Sequence, residues 1–244
     1  MSNNRVLWLS PGDPPDSFPP TSAALHEPDG LLAAGGDLSA DRLLFAYRNG
    51  IFPWYNEGQP LLWWSPDPRC VFMPGDYRLS RRLRRQLKRS SAEIRINTAF
   101  SDVIRACAGP RRSEQGTWIT VEMTKAYEDL YTKGWAHSIE VWQSDTLVGG
   151  LYGLAIGKAF FGESMFSVTS NASKLALFYL AARLTAGDIN LLDCQVVSAH
   201  LLSLGARIVP RNEFLQHLAI ACNPIEAFRN WPESPKPCAE LLCN

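Results

Sequence analysis

Three apolar runs in the second half of the chain, "SIEVWQ", "TLVGGLYGLAIG" and "KAFFGESMF", set the tightest limit on its fold. The first two are separated only by Ser144 and Asp145, a short polar turn, so they read as an antiparallel pair, and the third continues the meander. "NASKLALFYLAARLTAG" follows, too long and too continuously apolar for a strand; it reads as a buried helix with Gly187 just past its end. A chain with this centre must build an antiparallel sheet and cover it with helix.

The flanking segments agree. "RCVFMP", "AEIRIN", "LLDCQV" and "ARIVP" read as strands, and "SRRLRRQLKRS", opened by Ser80 as its cap, "AFSDVIRACA", "VEMTKAYEDLYTKG", "HLLSLG" and "RNEFLQHLAI" as helices. In "LLDCQV", Asp193 and Gln195 stand two apart, which puts them on one side of a short buried strand. In "VEMTKAYEDLYTKG", Met123, Tyr127 and Leu130 share a face. The first sixty-odd residues read as loop-rich, because each proline of "PGDPPDSFPP" fixes its own φ and biases its neighbour away from helix. A helix fits "SADRLLFAYRNG" there, with Ser39 as N-cap and Asn49-Gly50 as its stop. The expectation is an α/β (α+β) chain with a mixed, largely antiparallel sheet, divided into a small N-terminal domain, 1–66, and a larger one, 67–244.

With 244 residues, 46% of them hydrophobic and 20% charged, the chain has the composition of a soluble globular protein. "VLWLS" is too short for a signal peptide, and "TLVGGLYGLAIG" is too short to span a bilayer, so a cytoplasmic protein is expected, and, with no self-complementary apolar stripe evident, a monomer. The six cysteines are scattered, with no CxxC pair and no histidine cluster, which argues for reduced thiols and against a metal site. There is no GxxxxGK[ST], no GxGxxG and no GxSxG, so phosphate-loop and serine-hydrolase chemistry find no support.

Charge is uneven. The chain is neutral, 24 Lys+Arg against 24 Asp+Glu, yet six basic residues and no acid fall within Arg81–Arg89. On a helix Leu79, Leu83 and Leu87 form one apolar stripe, and Arg81, Arg82, Arg84, Arg85, Lys88 and Arg89 cover the rest. Such a face is either simply solvated or built for a phosphate backbone, which arginine contacts bidentately.

Other candidates also admit two readings. Glu163 in "GESMFS" is a carboxylate in apolar surroundings, either salt-bridged at a strand end or part of a site. Asp193 with Gln195 is either a structural network or a polar site in a cleft. Trp54, Trp63, Trp64 and Trp118 are either core or stacking platforms for bases.

Taken in order, "EPDGLLAAGGDLSADRLLFAYRNGIFPWYNEGQPLLWWSPDPR", "GTWIT", "AHSIEVW", "LVGGLYG", "FFGESMFS", "NASKLAL", "LLDCQV" and "LGARIVPR" closely resemble the bacterial leucyl/phenylalanyl-tRNA–protein transferase family, over about Glu27 to Arg211. The resemblance implies an aminoacyltransferase of the N-end rule pathway. It would move Leu or Phe, and Met less well, from aminoacyl-tRNA to the α-amino group of proteins that start with Arg or Lys. It also implies a GNAT-type acyltransferase fold, no metal and no coenzyme A. In line with the last point, no pyrophosphate loop of the acetyl-CoA type precedes a helix here. The two competing readings are an acetyl-CoA-dependent N-acetyltransferase of the same fold and a noncatalytic RNA-binding protein.

By the same resemblance, Arg81, Arg84, Arg85 and Lys88 would contact the tRNA backbone, and Trp54 and Trp118 would hold the 3′-terminal adenosine. Leu151, Phe160, Met165, Leu177, Leu180 and Leu192 would line a pocket for the donor side chain. Asp193 and Gln195 would stand at the reacting centre, Asp193 accepting from the Gln195 side-chain amide and Gln195 holding an N–H of the attacking amine. Glu163 would face an ammonium ion.

Overall fold

The computed structural model describes residues 6–109, 119–231 and 235–242. The region expected to be loop-rich carries a four-stranded sheet. It comprises β1 (Leu7–Leu9) and β2 (Leu31–Gly35), then, after helix α1 (Ala40–Arg48), β3 (Phe52–Pro53) and β4 (Leu62–Trp64), in the order β1-β2-β4-β3. These strands are two to five residues long, too short for a period of two to register against the surrounding prolines and glycines. Helix α1 buries Leu43, Ala46 and Tyr47 on one face and stops where expected, with Gly50 in the left-handed region at φ 73°. A Cβ at Gly50 would also meet Leu215 at 2.7 Å, so both conformation and space call for glycine. Ser39 is at the N-cap position, but its hydroxyl makes no capping bond; its backbone N–H donates to Asp37.

The rest of the chain runs β5 (Arg69–Phe72), α2 (Arg81–Lys88), β6 (Glu93–Ile96), α3 (Phe100–Ala108), α4 (Val121–Thr132), β7 (Ala136–Gln143), β8 (Thr146–Ile156), β9 (Ala159–Ser167), α5 (Ala172–Thr185), β10 (Leu191–Asp193), α6 (Ala199–Ser203), β11 (Arg207–Val209), α7 (Arg211–Ala221) and β12 (Lys236–Pro237). Its sheet has eight strands in the order β11-β5-β10-β9-β8-β7-β6-β12, so the predicted meander β7–β8–β9 forms its centre. Every pairing is antiparallel except that of β9 with β10. The fold is therefore mixed α/β, as its sequence pattern implied.

Helices cover both faces. Helix α5 is apolar all round because it sits between the sheet and the C-terminal segment, burying Leu175, Leu177, Leu180 and Leu184 among others. Helices α3 and α4 pack on β7 and β8 together with the N-terminal sheet, in one core that includes Leu43, Trp63, Phe100, Tyr127 and Leu154. Helix α2 buries only Leu83 and Leu87, with Leu79 partly buried beside them, and its Gln86 accepts from the Asn171 side-chain amide at 2.9 Å; each fully buried leucine contributes about 1.5–3 kcal/mol. Shortening Leu87 to Ala would therefore loosen this helix before any other.

Two irregularities open the sheet. In β9, Gly162 pairs with Gly153 and Ser164 with Tyr152, which leaves Glu163 as the extra residue of a β-bulge. A bulge re-aims a side chain that regular alternation would place elsewhere. The chains approach closely there, since a Cβ on Gly153 would lie 2.0 Å from the Phe161 carbonyl. Strand β10 then ends at the pair Asp193–Phe161, so β9 beyond residue 161 has no parallel neighbour. The gap left between the diverging ends of β9 and β10 is the site.

Candidate active site

Asp193 closes β10 and is fully buried, and Arg69, the first residue of β5, is buried with it. The guanidinium is bidentate on the carboxylate, Nε to Oδ1 at 2.9 Å and Nη2 to Oδ2 at 2.7 Å, and its third nitrogen donates to the Gly50 carbonyl at 3.1 Å. The Phe52 and Phe214 rings flank it at 4.8 and 4.6 Å. A buried charge pair persists only when geometry and hydrogen bonding are this complete. The sequence reading omitted Arg69, although an arginine opening an apolar strand, "RCVF", signals that some acid must neutralise it.

Gln195 departs from expectation. Strand β10 stops at Asp193, and Gln195 is left-handed at φ 62°, so the two do not share a strand face. Asp193 accepts from the Gln195 backbone N–H, Oδ1 at 2.8 Å, which holds the turn. The expectation that Asp193 orients the Gln195 side chain is corrected: Arg69 already occupies the carboxylate, and the Gln195 Nε2 donates to Glu163 Oε1 at 2.6 Å.

Among the described residues no cation forms an ion pair with Glu163. Its Oε1 is 2.7 Å from the Tyr47 hydroxyl on α1, its Oε2 is 2.7 Å from the Tyr127 hydroxyl on α4, and the two hydroxyls contact each other. It is therefore not a salt-bridged strand end. Burial raises its pKa from the usual 4.5 to about 7, against the lowering effect of its three hydrogen-bond donors. Burial beside the same carboxyl raises both tyrosines well above the usual phenol range. Both lie on apolar helix stripes, and that was the available signal: a buried tyrosine needs a hydroxyl partner.

Glu163 opens into a cavity of about 120 Å³ lined by Leu151, Met165, Leu177, Leu180, Leu192 and Cys194 among others. Of the six side chains expected to form an apolar pocket, five are brought together here. Phe160 is not among them: it pairs with Leu192 before the strands diverge, lies fully buried, and packs at 6.3 Å from Trp231.

The remaining candidates lie further out. Trp54 follows β3, whose Phe52 covers Arg69; it is 41% exposed, its ring tilted against Trp64 at 5.9 Å. Trp118 lies outside the described residues. On α2 the Ser80 hydroxyl accepts from the Leu83 N–H at 3.2 Å, the cap its sequence suggested. Arg81, Arg82, Arg84, Arg85, Lys88 and Arg89 are all exposed, and none makes an ion pair with any described residue. Among the described residues no helix is long and apolar enough to cross a membrane.

Comparison with known proteins converges on one family. Residues 71–219 match the family model described as leucyl/phenylalanyl-tRNA protein transferase, and residues 36–67 match the model of that family's N-terminal domain. The leucyl/phenylalanyl-tRNA–protein transferase of Azotobacter vinelandii is 57% identical over 202 residues, covering 83% of this chain and 89% of the relative. That of Aromatoleum aromaticum is 58% identical over 214 residues, with coverage of 88% and 89%, and that of Xanthomonas campestris pv. campestris 57% over 220 residues, with 90% and 88%. With both family models aligned along the chain and more than half of the aligned residues identical in each of these relatives, the protein belongs to the leucyl/phenylalanyl-tRNA–protein transferase family.

Proposed function

We propose that the protein transfers Leu or Phe, and Met less well, from aminoacyl-tRNA to the α-amino group of proteins that begin with Arg or Lys, the step that commits them to N-end rule degradation. The observation that carries this reading is the leucine- and methionine-lined cavity whose polar wall is Glu163, with Gln195 hydrogen-bonded to that carboxyl. Such a hole accepts one medium-sized apolar side chain. It excludes charged ones, which would be buried unpaired, and discriminates among apolar ones by about 1–3 kcal/mol per methylene.

The reaction is aminolysis of an ester. The acceptor nitrogen attacks the carbonyl carbon, an amide bond forms, the bond to the ribose oxygen breaks, and that oxygen leaves with a proton the amine gave up. The donor is already activated, and an α-amine of pKa about 7.7–8.0 is partly neutral near pH 7. The protein's task is alignment. Asp193, locked by Arg69, pins the Gln195 backbone. Glu163 engages the Gln195 Nε2, which leaves its Oε1 to accept an N–H from the attacking amine. The carboxyl of Glu163 answers the positive charge of an ammonium ion in the same cleft. Gln is too weak a base to abstract the proton outright, so its part is orientation, with the ribose hydroxyl as the carrier.

Arg81, Arg84, Arg85 and Lys88 are suited to the acceptor-stem phosphates, a contact that is sequence-blind and salt-sensitive. Trp54 and Trp118 are the partners proposed for the terminal adenosine, at about 1–3 kcal/mol per stacked base. No cofactor enters the scheme. The deciding experiment incubates the protein with labelled Phe-tRNA and an Arg-starting protein such as α-casein and measures label in protein. Transfer is expected, without acetyl-CoA. Retention of tRNA with no transfer would make it a binding protein, and acetyl transfer from acetyl-CoA would make it an N-acetyltransferase.

A further inference from the structure

The hydrogen bonds around Glu163 contain one contact more than the tyrosines can supply. Glu163 Oε1 meets the Tyr47 hydroxyl, Oε2 meets the Tyr127 hydroxyl, and the two hydroxyls meet each other. Three contacts between oxygens need three protons. The phenols carry two. With Glu163 ionised both phenols turn to the carboxylate, and their oxygens are left facing each other, lone pair to lone pair, in a site where Tyr47 and Tyr127 are both fully buried. With Glu163 protonated the account closes.

The fourth bond fixes the direction. Oε1 already accepts from the Gln195 Nε2, at 2.6 Å, so it is the carbonyl oxygen and the proton is on Oε2. From Oε2 the proton is donated to Tyr127, Tyr127 donates to Tyr47, and Tyr47 donates back to Oε1. Every donor then has an acceptor. The groups that face the carboxyl from other elements do not displace this proton: Tyr152 on β8 is packed edge-on to Tyr127 at 5.5 Å, Asp193 on β10 is a further negative charge, and the nearby cation, Arg69, is committed to Asp193. Burial acts in the same direction on the carboxyl.

We infer that Glu163, Tyr47 and Tyr127 form a closed three-proton ring that keeps the empty site neutral, and that an ammonium ion entering beside the apolar cavity displaces one proton from it. The ligand class is a primary α-ammonium bearing an apolar side chain. The second half rests on the transferase reading, which supplies such a ligand; the first stands on the hydrogen bonds alone. The protein thus exchanges one cation for another, avoiding an unpaired carboxylate among buried phenols before the substrate arrives.

Two measurements that use no tRNA test this. Infrared difference spectra of the ligand-free protein against Glu163→Gln should show a carboxylic-acid carbonyl band that fades as pH rises through about 7. Opening the ring with Tyr47→Phe, which keeps the carboxyl, should shift that band. Calorimetric titration with L-leucinamide near pH 6, about one unit below the Glu163 pKa of about 7, in two buffers of different ionisation enthalpy, should report release of about one proton per ligand bound, and none from Glu163→Gln. Absence of the acid band in the wild-type protein, a band unmoved in Tyr47→Phe, no binding heat with leucinamide, or heats identical in the two buffers would each overturn the inference. Failure here with intact label transfer would sink the ring alone; proton release without label transfer would sink the transferase reading and leave the ring.

Discussion

The two walls of the cleft treat a carboxylate in opposite ways. At the end of β10, Asp193 is buried and meets a guanidinium through two parallel bonds, so its charge is cancelled inside the protein. On the bulge of β9, Glu163 is enclosed by two phenols and an amide, all of which donate hydrogen bonds but none of which carries charge. The first arrangement is finished and rigid; it sets the backbone of Gln195. The second leaves a carboxyl with no counter-charge among the described residues. One fold thus gives two carboxyls opposite surroundings, by where it places one arginine.

The severest way to break this contrast is Arg69→Met. It would leave Asp193 buried without its counter-charge, at a loss of about 3–5 kcal/mol in chemical denaturation. Arg69→Met with Asp193→Leu should recover most of it; a single variant as stable as the wild type would mean that the pair is not what fixes this wall.

The Glu163 wall predicts a pH effect of known sign. Its folded pKa, about 7, lies above the usual 4.5, so the folded protein holds more protons between these values. Its stabilising contribution is fully present below pH 4.5 and is lost as pH rises through about 7. The loss approaches about 3 kcal/mol, and Glu163→Gln should flatten that part of the curve. The same stability–pH curve in both proteins would remove the distinction between the walls.

Between them, Leu180→Ala enlarges the apolar cavity. It should lower kcat/KM for the leucyl donor by about tenfold or more, and by less for the phenylalanyl donor, whose ring can occupy the added space. Equal losses would place Leu180 outside the donor's contacts.

The exposed cations of α2 provide the mildest test. Arg84→Ala with Arg85→Ala should leave stability within about 0.5 kcal/mol while reducing the salt dependence of donor binding by about one unit of slope per lost phosphate contact. A salt slope identical to the wild type would take α2 out of the tRNA contact.

By itself the sequence determined the elements whose signals are local: the meander, the apolar helix α5, the capped basic helix α2, the turn at Gly50. Hydrophobic period, caps and turn residues act over a few positions, and those can be read along the chain. Of the six side chains it assigned to a pocket, through a family resemblance that extends over most of the molecule, five line the cavity. What only the tertiary structure decided is partnership. Arg69 and Asp193 are 124 residues apart, Tyr47 and Glu163 are 116 apart, and Gln195 reaches Glu163 across 32. No periodicity specifies which buried donor meets which buried acceptor. A single inserted residue in β9, opposite Gly153, turns Glu163 toward the phenols, and the early end of β10 turns Gln195 out of its strand. Both follow from how strands seat against one another, a balance struck only when the whole sheet has assembled.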